Sequence, residues 1–171
     1  MPTTGHRART APGGRKNIWA LPEALELTPL IADLDKAFRV QPEKDLTRVR
    51  KWFDTDDWRL YRRKFLLFQE QCQWHLIHRD SEEQAAVFSG GKCDQFRYSW
   101  DFPVSRMRVM LEPILGIRSL LPLATQTTTT RCRRILNRDG KTIALVYFDV
   151  HETRESGARF RTVTLLSLIH I

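Results

Sequence analysis

Long apolar runs are missing from this chain. No stretch reaches the roughly 18 residues that a membrane-spanning helix needs. The basic N-terminus has no apolar segment behind it of the kind a secretory signal carries. Cysteine is scarce, at three residues in 171, and Cys72, Cys93 and Cys132 lie far apart. None belongs to a C-x-x-C pair and no cysteine–histidine spacing suits zinc, which excludes a zinc module. The expectation is three reduced thiols in a cytoplasmic protein. Acidic residues are absent from the first 16 positions, where Arg7, Arg9, Arg15 and Lys16 supply half of the net charge of +8. Met1 is the one large apolar residue there, and Pro2, Gly5, Pro12, Gly13 and Gly14 interrupt the rest. Residues 1–16 are therefore expected to form a disordered basic tail.

What is present suits one medium domain with a core, since 42% of residues are hydrophobic and 28% charged. Ile18–Pro22 reads as a short strand. Over Pro22–Phe38, the apolar residues Leu27, Leu30, Ile31, Leu34 and Phe38 recur at threes and fours and predict a helix, with Pro29 marking a start or a kink. Thr47–Phe53 alternates, with Val49 and Phe53 on one face and Arg48, Arg50 and Trp52 on the other. Asp54-Thr55-Asp56-Asp57 is a cluster of capping and turn formers. Phe65–Gln71 and Cys72–Arg79 read as strands, the second placing His75, Ile77 and Arg79 on one face. Gly90-Gly91 is a break. Ser105–Leu115 predicts a helix, with Met107, Met110, Leu111 and Ile114 along one side and Pro113 in its last turn. Thr128–Leu136, the turn Asn137–Gly140 and Lys141–His151 make the strongest hairpin signal in the chain. Strands, two helices and this hairpin predict an α+β fold on a mostly antiparallel sheet.

Phe53–Gln69, reading FDTDDWRLYRRKFLLFQ, resembles the signature of CYTH domains. Asp54-Thr55 with Trp58-Arg59-Leu60-Tyr61 is similar to CYTH domains that precede a CHAD domain in bacterial proteins. Leu111–Gln126 and Arg134–Asp149 are similar to the mid-domain helix and late hairpin of the same family, in the family's order. The resemblance implies a curved sheet or incomplete tunnel barrel with flanking helices over residues 17–166. It implies a lumen whose Lys and Arg side chains hold triphosphate or inorganic polyphosphate, and carboxylates that hold Mg²⁺ or Mn²⁺. Carried over position by position, it implies Arg79, Arg131 and Arg133 as phosphate-binding residues and Asp149 and Glu152 as metal ligands. It also implies a downstream CHAD domain. Residues 167–171, SLIHI, look like a non-native end on a truncated reading frame.

The chain departs from the family's pattern in places that matter. The family's first strand reads Glu-x-Glu-x-Lys, whereas Ile18–Glu23 reads IWALPE and leaves only Glu23 nearby. An Arg-x-Arg pair on a later strand corresponds to about Phe68 and Glu70. A Thr-x-Lys becomes Ile77-His78-Arg79, which keeps the charge. The expected function is thus a module that binds triphosphate or polyphosphate in a basic tunnel, with a degraded metal and catalytic motif. An active metal-dependent triphosphatase is the alternative. A nucleic-acid-binding module, resting on the basic tail alone, is the third reading.

Overall fold

The computed structural model describes residues 16–90 and 96–168. Of the expected tail and non-native end, Lys16, Ser167 and Leu168 fall within these bounds. Lys16 opens one strand and Ser167 closes another. Among the described residues, no helix is long and apolar enough to cross a membrane. The described residues form nine strands and three α-helices, and every pairing with a defined register is antiparallel. The fold class is the α+β, mostly antiparallel one that the alternation patterns predict. The chain divides into two compact units.

Of the described residues, the first unit takes in 16–47, 129–151 and 159–168. It holds β1 (Lys16–Leu21), α1 (Leu27–Ala37), β2 (Val40–Pro42) and β9 (Arg159–Ser167). It also holds most of β8 (Thr142–Thr153) and the second half of β7 (Leu121–Leu136). The strands run in the order β1-β9-β8-β7, with β2 on β7. Helix α1 begins at Leu27, five residues after the periodicity suggests. Pro29 then falls in the first turn, where its missing N–H breaks no helical bond. Leu27 and Ile31 of α1 bury themselves against Ile135, Val146 and Phe148, with Val150, Val163 and Leu165 alongside. The β7–β8 turn is closed by Asn137, whose Oδ1 accepts the Lys141 N–H at 2.8 Å. Gly140 supplies the positive φ of 77° that the turn requires.

Cys132 of β7 is free and buried. Burial, then the nearby Glu43 carboxylate, pushes its thiol up to about 12.

Of the described residues, the second unit takes in 48–90, 96–128 and 152–158. It contains nearly all of β3 (Leu46–Asp54), then α2 (Arg59–Arg62), β4 (Phe65–Glu70), β5 (Gln73–His78) and β6 (Gln84–Ser89). A 3₁₀ turn at Ser99–Asp101 leads to α3 (Arg106–Leu115). The strand order is β3-β4-β5-β6. Ser105 caps α3 by accepting the Arg108 N–H, and Pro113 sits in the last turn as predicted. Met107, Leu111 and Leu115, spaced by four, are fully buried among Leu60, Leu67, Trp74, Leu76 and Phe102.

The two-residue β4–β5 turn places Gln71 and Cys72 at φ 48° and 62°. This is the primed geometry that suits the twist of paired strands, here without the usual Asn-Gly. Cys72 is disulfide-bonded, which corrects the expectation of three reduced thiols. Its widely spaced sequence position gave no hint of a partner, because spatial proximity is set by the fold and not by spacing along the chain.

Candidate functional site

The Asp54-Thr55 signature serves structure first. Asp54, only 3% exposed, ends β3 and turns its carboxylate back under the next segment. Oδ1 accepts the backbone N–H of Thr55 at 2.7 Å and of Leu60 at 2.9 Å, and Oδ2 accepts that of Tyr61 at 3.0 Å. The buried Thr55 hydroxyl donates to Asp57 at 2.7 Å and accepts the Arg59 N–H at 3.0 Å. Arg59 in turn donates from Nε to Asp57 and from a terminal nitrogen to the Leu115 carbonyl, both at 2.9 Å. The last bond ties α2 to the C-terminal end of α3, where the Leu115 carbonyl also accepts the Arg118 N–H. The Thr55 hydroxyl and then Arg59 hold the Asp57 carboxyl down at about 2, against an ordinary 3.8. A depressed carboxyl contributes stability that is present above its ordinary value and lost as pH falls through the folded one. The stability gap between wild type and Asp57→Asn is therefore expected to close between pH 3.8 and about 2. Urea midpoints across that window test this, and a constant gap would contradict it.

The β3–β4–β5 ladder has two faces of different character. Phe53, Leu67, Leu76 and Ala86 occupy register positions on the face that carries the core. The opposite face carries Arg50 across from Glu70, Trp52 across from Phe68, and Phe68 across from His75. Arg50 Nε donates to Glu70 Oε2 at 2.6 Å, with the two side chains 33% and 18% exposed. The Arg50 guanidinium also lies over the Phe68 ring, 4.7 Å from its centroid. Phe68 is buried between Trp52 (centroids 5.0 Å apart) and His75, which stacks on it at 4.8 Å and 8°. Trp52 Nε1 donates to Gln126 Oε1 at 3.0 Å. Strand alternation puts Arg48, half-buried, on the same face. The result is an aromatic floor under the Arg50–Glu70 pair, with Arg48 at a position of the same strand face.

The cations and acids singled out in the sequence are distributed as follows. Arg79, in the second unit, follows β5. It pairs with Asp80 at 3.1 Å and caps the Tyr61 ring at 4.4 Å. The hollow beside Asp80, about 250 Å³, is lined by Lys64, His78, Asp80, Ser81 and Glu83, so its two acids oppose an anion. In the first unit, Arg131 is exposed and pairs with Asp45 at 3.6 Å. Arg133 is mostly buried, with Nε 3.4 Å from Asp35 of α1, which places it on the helix-covered face together with Ile135. Val146, Phe148 and Val150 of β8 pack on that same face. Alternation therefore turns Asp149 and His151 to the other side. There Asp149 accepts a hydrogen bond from the Thr130 hydroxyl. His151 stacks on Phe160 at 4.4 Å, with Nε2 3.1 Å from Thr162 Oγ1. Arg133 and Asp149 thus face opposite ways. Glu152 sits at a β8 position of the other parity from Asp149.

No family model and no curated protein matches the chain. Solved structures do. A crystal structure of a candidate adenylate cyclase from Bacillus halodurans matches with a TM-score of 0.57 and 13% identity, over 90% of this chain and 80% of that one. A candidate adenylyl cyclase from Hippeastrum, described as having a dominant triphosphatase activity, matches with a TM-score of 0.53 and 13% identity, over 90% of this chain and 79% of that one. The fold is CYTH-like. The two ligands that the sequence resemblance implies for Mg²⁺ or Mn²⁺, Asp149 and Glu152, take β8 positions of opposite parity. Such an ion takes a near-octahedral oxygen set anchored by one or two available carboxylates. One Asp149 oxygen already accepts the Thr130 hydroxyl. Among the described residues no three His, Cys, Asp or Glu side chains come together.

Proposed function

We propose that this CYTH-like chain binds triphosphate or inorganic polyphosphate without hydrolysing it efficiently. One observation carries the reading. The Arg50 guanidinium, held on an aromatic floor away from the core, already grips an oxyanion, the Glu70 carboxylate at 2.6 Å. Phosphate oxygens make the same charge-assisted contact with the same fork. Arg48 adds a second cation on that face. Arg79 and Arg131 are proposed as further phosphate contacts in their own units, each after releasing its aspartate. Arg133, held by Asp35 beside α1, is left out of that role. A CHAD domain elsewhere in the full-length protein would extend the polyanion-binding surface.

The donor set argues against catalysis. Water must be activated and the developing charge neutralised, and among the described residues no three His, Cys, Asp or Glu side chains gather to hold the ion that does both in phosphoryl transfer. With Mg²⁺ supplied, the chain is expected to release phosphate from inorganic triphosphate at the rate of a buffer control, while still binding it. Malachite-green phosphate release and calorimetric titration test the two halves separately. The triphosphatase activity described for the Hippeastrum protein favours the enzyme reading. Metal-dependent release abolished by both Arg50→Ala and Asp149→Ala would establish it.

A further inference from the structure

We propose that Glu70 is a built-in competitor for the anionic ligand, which an incoming phosphate must displace before it engages Arg50; the inference rests on the reading above. Backbone register alone sets the pair, since Arg50 and Glu70 are direct cross-strand partners in the β3–β4 ladder. Arg50 is not a wandering surface side chain. Its guanidinium rests on Phe68, and Phe68 is fixed between Trp52 and His75. The Glu70 carboxylate, 18% exposed, is sheltered more than its partner. Bulk salt therefore screens the pair less than it screens a fully exposed one.

A carboxylate fixed on the adjacent strand competes at a high effective concentration, in the way any tethered ligand does. Each free anion must overcome it. Orthophosphate brings one small charge cluster and gains little. A chain phosphate carries several charges on one molecule and can take Arg50 while other groups engage Arg48. Counting Arg48, Arg50 and Glu70, the face carries one net positive charge, and glutamine at position 70 would make it two. Glu70 therefore sets an affinity threshold, and the face answers to polyvalent anions.

The test is titration of the full chain with inorganic tripolyphosphate at fixed low salt, read by calorimetry and by fluorescence of Trp52 beside the site. Glu70→Gln, nearly the same size without the charge, is expected to bind about five- to tenfold tighter, the scale of a partly sheltered ion pair. Arg50→Ala is expected to weaken binding at least as much. Adding Glu70→Gln to Arg50→Ala should then recover much less than Glu70→Gln gains alone, because the competitor has no guanidinium left to occupy. Wild-type affinity in Glu70→Gln, alongside weakened binding in Arg50→Ala, overturns the competitor while leaving phosphate binding intact. Absence of binding in wild type and Glu70→Gln alike overturns both. Should Glu70→Gln fail to fold, the wild-type Arg50 Nε–H NMR resonance decides. It is expected to move on tripolyphosphate addition, and a resonance that stays put while the ligand binds elsewhere sinks the proposal.

Discussion

Asp54→Ala is expected to destabilise the protein by about 3 kcal/mol or more, through buried donors left without acceptors. One carboxylate accepts three backbone N–H groups, those of Thr55, Leu60 and Tyr61. Each such group left unpaired away from water costs about 1–3 kcal/mol. Two of the three open α2, a single turn of four residues that propensity cannot sustain. Loss of the cap therefore loosens Leu60, which is fully buried in the second unit's core. Asp54→Asn keeps one acceptor oxygen but turns an N–H₂ toward donors, so it should recover only part of the loss. Urea unfolding followed by fluorescence gives both values. An Asp54→Ala protein within about 0.5 kcal/mol of wild type, the range of ordinary surface changes, would show that the Asp-Thr pair is not structural.

Leu111→Ala is expected to cost about 3–5 kcal/mol, the upper part of the range for fully buried leucines. Leu111 lies mid-way along the buried stripe of α3, one turn from Met107 and one from Leu115, and all three are fully buried. Its neighbours come from α2, the strands and the 3₁₀ region, so no single segment can relax into the void. The internal control is Val109 on the same helix, 66% exposed. Val109→Ala should leave stability within about 0.5 kcal/mol, since alanine favours helix and nothing packed is lost. Equal effects at the two positions would mean that α3 does not pack by this stripe.

The sequence made some of this legible and hid the rest for physical reasons. The Asn137–Gly140 hairpin and the stripe of α3 could be read because turn chemistry and helical period are local properties. The alternation of β3 correctly grouped Arg48, Arg50 and Trp52. What alternation could not supply was register, which places Glu70 and no other acid across from Arg50. Arg131 and Arg133 share parity, yet only the packing of α1 over β7 shows that Arg133 is spent on Asp35. Strand β6 went unread because QAAVFS is short and has two alanines, weak strand formers, at its buried positions. The run Asp54-Thr55-Asp56-Asp57 marks a cap and a turn, but not which N–H groups the Asp54 carboxylate accepts. That depends on how α2 folds back over the end of β3.

The thiol of Cys132 gives the first unit a timer. A cysteine only 5% exposed, with its thiol pushed up to about 12, reacts slowly, because an alkylating reagent needs both access and thiolate. It gains ordinary reactivity when β7 leaves its neighbours. The lag before a maleimide reaches that sulfur therefore counts opening events of this strand in an otherwise native population, with no substitution or dye introduced.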